Sequence, residues 1–387
     1  MKEVIILTPG PFLKRDYKRF GIELLKKKFS LKIFDITAWL NSKLWQEYFN
    51  KIYNCEEYIS IASKDDFLRL CSEKKNKLVL DFLGNNSKSE WIRKKLKNQN
   101  SLFVRFDINL LPKEKIGFVR KLKKIIILFK KPKKLIFSFF NFLKSKYYSS
   151  IKEYTPDYLV LGGVSHSENK KVKNKFFAHC MDYDVYLNIK KEKKYNEQPY
   201  AVFLEDNMTH DSDYSILNIS PPATENEYFP TLIKFLKKFE LNSGLKIKIA
   251  IHPKSSKNLT NLLKDFECHK GSTAEIVKDS SLVLLHASTA LSYAILFSKP
   301  TLFLTSNELK NSWIGPRINN LAQVVNSKLI NINSSLPDSS TFNNLLKFDK
   351  EKYKNYKDQY LKMPNSLEIP LWEIFIRNIE NDFKNNI

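Results

Sequence analysis

Three short clusters in the second half of the chain carry side chains that could move a group away from a phosphate. Glu205-Asp206 are adjacent carboxylates that close the apolar run Val202-Phe-Leu. A carboxylate at a strand end can act as general base, taking the proton of an attacking hydroxyl. Neighbouring residues of an extended chain point to opposite sides, so only one of the pair can do this. Solvation or capping is the plain alternative for acids followed so closely by His210, Asp211 and Asp213, and a metal site is the other.

His252-Pro253 follows Leu245 to Ile251, in which apolar residues stand at 245, 247, 249 and 251. That alternation marks a strand, and in open parallel sheets ligands bind just beyond the carboxyl ends of strands. Lys254, Ser255 and Ser256 would add phosphate-binding chemistry to the same loop. The third cluster, His286-Ala-Ser288-Thr289-Ala290, joins the apolar run 282–285 to a helical stretch from Thr289 to Phe297. With Ser288 or Thr289 as N-cap, free backbone N–H groups would make an anion site there, in which His286 is also expected to contact the phosphate. Plain capping and a histidine that merely ends a strand are the alternatives.

These residues need a sheet to bring them to one edge. Apolar runs recur at Ala201 to Leu204, Leu245 to Ile251, Ser281 to Leu285 and Thr301 to Leu304, separated by helix-length segments such as Glu225 to Phe239. The first half repeats the pattern at Val4 to Leu7, Leu31 to Ile36, Lys77 to Phe82, Phe103 to Ile108 and Tyr158 to Leu161, with a helical stretch from Arg15 to Lys28. Such alternation specifies parallel, helix-covered α/β sheets. A chain of 387 residues exceeds one core, and the polar stretch from Ile189 to Pro199 separates the halves. Residues 1–195 therefore form a first domain, 196–362 a second, nucleotide-binding-like one, and 363–387 an amphipathic terminal helix.

In the first domain, Gly10, Arg15, Gly163 and His166 are candidate contacts for an acceptor, with ordinary turn chemistry as the simpler reading of the glycines. The four cysteines, Cys55, Cys71, Cys180 and Cys268, lack any CxxC spacing, so neither a zinc site nor a disulfide framework is expected. The first residues show no signal-peptide pattern, which reads as cytoplasmic.

The formal charge is +24, from 65 Lys and Arg against 41 Asp and Glu, which favours polyanionic partners. Between Lys113 and Ser150 stand twelve Lys or Arg and one acid, Glu114, so this short stretch supplies +11 of the total. It interleaves Lys with Ile and Phe in runs far below the ~20 apolar residues of a membrane span. Lying on the anionic inner face of a membrane suits it, with solvated Lys faces of ordinary helices as the alternative. No nucleic-acid-binding motif is present.

Taken together, Glu205-Asp206, His252-Pro253 and Ser288-Thr289 resemble the three motifs of bacterial sialyltransferases and related transferases of Kdo-like sugars: an acidic pair followed by Gly, a His-Pro, and a Ser-Ser or Ser-Thr. The resemblance covers roughly residues 200 to 306. It implies a metal-independent, inverting enzyme of GT-B fold, two Rossmann-like domains facing across a cleft, with the terminal helix crossing back to the first. The donor would be a CMP-activated acidic sugar, with no cofactor, and the acceptor a glycan or glycolipid. The acidic residue would be the base, His252 would help CMP leave, and Ser288 and Thr289 would hold its phosphate beside Pro253 and Lys254. Asn207 stands where Gly is expected, and Thr289 where Ser is commonest. The stretch also looks like glycerol- and ribitol-phosphate polymerases that use CDP-activated polyols. The Glu-x7-Glu pattern of retaining enzymes does not occur between Glu275 and Glu308.

Overall fold

The structure is a computed structural model and describes residues 3–71, 76–84, 86–112, 155–166, 172–192, 198–210, 214, 219–252, 255, 257–334, 342 and 344–385. The basic segment 113–150, Pro253 and Lys254 lie outside the described residues, as do Asp211, Asp213, Ser256 and the side chain of His166.

The apolar runs form two wholly parallel sheets. Strands β1 (Glu3–Thr8), β2 (Ser30–Asp35), β3 (Tyr58–Ser60), β4 (Lys77–Asp81), β5 (Leu102–Asp107), β6 (Tyr158–Leu161) and β7 (Asn174–Phe177) make the first. Its order is β3-β2-β1-β4-β5-β6-β7. The second contains β8 (Tyr200–Leu204), β9 (Lys246–Ile251), β10 (Glu267–Lys270), β11 (Leu282–Leu285), β12 (Thr301–Thr305) and β13 (Lys328–Asn331), in the order β10-β9-β8-β11-β12-β13. Strand order reverses between β1 and β4 in one sheet and between β8 and β11 in the other. At such a switch point the two flanking loops diverge and leave a crevice at the carboxyl edge.

Both faces of each sheet are covered, which is why the strands read as unbroken apolar runs. Along β1, Val4 and Ile6 enter one core while Ile5 and Leu7 enter the opposite one, as the two-residue period requires.

The helix Leu371–Asn385 completes the first domain's core, where Leu371, Trp372, Phe375 and Ile379 pack against Phe12, Phe20 and Ile22. Trp372 donates its indole N–H to the Arg19 carbonyl at 2.8 Å. Its ring fills the place where a side chain on residue 21 would lie, and Gly21 adopts φ +57° there. The single helix expected from Arg15 to Lys28 is consequently two, Lys14–Arg19 and Ile22–Leu25, broken at Gly21 by the tryptophan.

The chain passes between domains twice, and the two passages lie side by side. Cys180 N–H bonds the Leu361 carbonyl at 2.7 Å, and Met363 N–H bonds that of Ala178 at 2.9 Å. Beyond the first passage the helix Met181–Ile189 reaches the second domain, where Asp182 accepts bonds from the Ser292 hydroxyl at 2.6 Å and the Tyr293 hydroxyl at 3.3 Å. Contacts from the loops after β5 and β6 also meet the second domain: Asn320 donates to the Pro112 carbonyl at 3.4 Å, and Gly163 abuts the backbone of Gln359. The carboxyl edge of the first sheet therefore faces the second domain.

Candidate active site

Because β9, β8 and β11 are neighbours in the sheet, His252, Glu205-Asp206 and Ser288-Thr289 emerge side by side at its carboxyl edge. The two carboxylates divide between the flanking loops. Glu205 is buried and turns toward β9: its Oε2 accepts from the His252 amide at 3.3 Å and from the Ser255 hydroxyl at 2.8 Å. Its Oε1 accepts from the Asn207 amide at 2.5 Å. Ser255 N–H returns to the His252 carbonyl at 2.9 Å, so Glu205 clamps a closed turn that carries His252. Ser255, expected to face a phosphate, is buried beneath this turn.

Asp206 turns the other way, as successive residues of an extended chain must. Its Oδ2 accepts from the Ala287 amide at 3.0 Å, and the His286 amide and Ser288 hydroxyl also donate to the carboxylate. Burial above all, with a smaller push from the adjacent Glu205 charge, raises its pKa to about 7 against the opposing pull of those three donors. A carboxylate poised near neutrality suits proton transfer at physiological pH.

Asn207 lies at φ +54°, in the left-handed region that glycine and asparagine tolerate best. The turn thus demands a residue of this kind, which accounts for Asn where the motif has Gly.

His286 does not face a phosphate. The ring is fully buried, its Nδ1 lies 2.7 Å from the Leu304 carbonyl and its Nε2 2.7 Å from the Tyr228 hydroxyl. Burial lowers its pKa to about 4, so it is a neutral, internal group. Ser288 and Thr289 are not N-caps either: the helix begins at Leu291, behind Ala290, and lacks a side-chain cap bond. Ser288 Oγ accepts from the Ala290 amide at 3.3 Å while its hydroxyl reaches Asp206. Only six residues long, this helix offers little macrodipole, and the hydroxyls are the remaining anion-binding groups.

Two contributors were missed in the sequence. Lys270, ending β10, places Nζ 3.1 Å from the Ser255 carbonyl and adds a cation beside the His252 turn. Tyr228 sits on the helix Glu225–Ser243 among Leu232, Phe235 and Phe239, where its phenol reads as one more core aromatic. The first-domain candidates do not form one cluster. Gly10 follows β1 and Gly163 follows β6, three strand spacings or about 14 Å apart. Arg15 is exposed and pairs with Asp16 at 3.0 Å, while Gly163 meets protein backbone. Among the described residues, no group of three His, Cys, Asp or Glu is placed to hold a metal ion.

Neither a protein-family model nor a curated protein matches the chain. Solved structures match along its whole length. The wall teichoic acid polymerase TagF is 10% identical, with a TM-score of 0.50, over 100% of this chain and 90% of that one. A chain from Listeria monocytogenes, provisionally assigned as UDP-N-acetylglucosamine 2-epimerase, is 11% identical, with a TM-score of 0.50, over 100% of this chain and 98% of the other. At such identities the likeness is one of fold, and that fold, two parallel-sheet α/β domains, is GT-B.

Proposed function

We propose that the chain is an inverting, metal-independent glycosyltransferase that moves an acidic sugar, of sialic acid, pseudaminic acid or Kdo type, from a CMP donor to a glycan or glycolipid hydroxyl. The observation that carries this reading is the sharing of one switch-point edge by three groups: a half-buried acid with a pKa of about 7, a clamped histidine turn and a Ser-Thr turn. In the proposed step Asp206 takes the acceptor hydroxyl's proton as that oxygen bonds to the anomeric carbon. The carbon–phosphate oxygen bond breaks, and CMP departs with the electron pair. His252 offers its ring to the departing phosphate, and Ser288 and Thr289 hold it. Glu205 keeps the His252 turn in place and stays out of the proton transfer.

The acceptor would enter from the first domain. The basic segment 113–150 belongs to the crossover between the adjacent strands β5 and β6, and its composition supports docking on an anionic inner membrane surface, where lipid-linked acceptors reside. No helix among the described residues is long and apolar enough to cross a membrane.

A second reading is a CDP-polyol phosphotransferase of teichoic-acid type, which the likeness in fold to a wall teichoic acid polymerase favours. Thermal stabilisation by CMP, CDP, UDP and GDP tests the cytidine donor that both readings share, since a ligand of the folded state raises its melting temperature. Both readings release CMP, so stabilisation by CMP supports either, and turnover with a CMP-activated acidic sugar or with a CDP-activated polyol then decides between them. Stabilisation by UDP alone removes both donors, and vesicle binding with no nucleotide effect leaves a non-catalytic polyanion-binding protein.

A further inference from the structure

We infer that Tyr228 and His286 form a buried positioning pair that sets the turn holding Asp206 and so fixes where that carboxylate is presented. The inference deepens the proposed function, because it concerns the group read there as the base.

A tyrosine on the apolar face of the helix Glu225–Ser243 buries a hydroxyl that must find a partner. His286 supplies it. A carbonyl only accepts, so the Nδ1 that faces the Leu304 oxygen at 2.7 Å carries the proton, and Nε2 is left to accept from the Tyr228 hydroxyl, also at 2.7 Å. Burial keeps the imidazole neutral, and this one tautomer satisfies both neighbours.

The ring is therefore pinned at both ends, to β12 through Leu304 and to the helix through Tyr228. Its own backbone N–H and that of Ala287 then point at Asp206. The tie joins the carboxyl ends of β12, β11 and β8, which are consecutive in the sheet and straddle the switch point between β11 and β8. Neither residue has to touch a substrate to act. Among the described residues, the titratable groups that face this centre are Glu205 from β8, Tyr228 from the helix and His286 from the end of β11, with Tyr214 beside Tyr228.

The test is a carboxyl carbon-13 NMR titration of the full chain, with the Asp206 resonance assigned by its loss in Asp206→Asn. Tyr228→Phe conserves volume, so water stays out while the turn's amides donate less well. The Asp206 midpoint is expected to rise by about half a unit or more. His286→Asn retains a donor for the Leu304 carbonyl but loses the acceptor for Tyr228, and the midpoint is expected to move the same way. Phe235→Leu, a core change in the same helix, is expected to lower the melting temperature and leave the midpoint alone. Unchanged midpoints in Tyr228→Phe and His286→Asn, or shifts that Phe235→Leu reproduces, overturn the inference. The titration needs no donor or acceptor, so Asp206→Asn with full turnover would sink the base assignment separately.

Discussion

The Asp206 carboxylate accepts the amide hydrogen of Ala287 at 3.0 Å, joining the acid after β8 to the Ser-Thr turn after β11 across 81 residues of sequence. The bond crosses the point where strand order reverses, so the acid stands at the mouth of the crevice in which a donor phosphate would sit. It also separates the two adjacent acids chemically. Glu205, one residue earlier, is occupied by the other loop.

Asp206→Asn should lower turnover by about two to four orders of magnitude, since it removes a general base while keeping shape and most hydrogen bonds. Wild-type turnover should rise with pH and level off above the Asp206 pKa of about 7. A rate profile measured from pH 5 to 9 checks both, and a flat profile counts against this assignment.

The same carboxyl bears on stability. Its folded pKa lies above the unfolded value, so between about pH 4 and 7 the folded state binds more protons, and stability falls as pH rises through that window. The loss is at most ~4 kcal/mol and is absent in Asp206→Asn. Urea denaturation of both proteins at pH 5 and pH 8 reads it directly.

Glu205→Gln should act through His252 and through charge. One of the donors at its Oε2 loses its acceptor, at a cost of about 1–3 kcal/mol. Loss of the like charge lowers the Asp206 midpoint, so the rate profile shifts toward acid. A shift toward alkali would contradict the electrostatics described above.

His252→Ala should sharply reduce turnover with CMP-sugar donors and leave the melting temperature close to wild type, since the backbone amide that Glu205 holds is retained. Undiminished turnover would remove the imidazole from the mechanism.

Gly21→Ala combines a left-handed backbone with a clash against Trp372 and should cost about 3 kcal/mol or more. In a Trp372→Ala background the two shortest contacts, to Cδ1 and Cγ, are gone and mainly the backbone part persists, so a double-mutant cycle by chemical denaturation should show strong coupling.

Much of the architecture was legible in the chain. Runs such as Val4 to Leu7 and Val202 to Leu204 marked strands buried on both faces, and their alternation with helical stretches specified two parallel sheets. The order acid, His-Pro, Ser-Thr placed three polar ends after three apolar runs. Periodicity and strand ends are local properties, written within a few residues.

What the tertiary structure decided was the work of each polar side chain. Glu205 and Asp206 are equivalent in sequence, yet one is tied to the His252 turn and the other is left near neutrality beneath the Ser-Thr turn. His286 stands in a motif-like setting and turns inward because Tyr228, 58 residues away, waits there with a hydroxyl. Gly21 breaks a helix for the sake of a tryptophan near the far end of the chain. A proton's affinity and a hydrogen bond depend on which atoms exclude water around the group, and those atoms come from segments that only folding brings together.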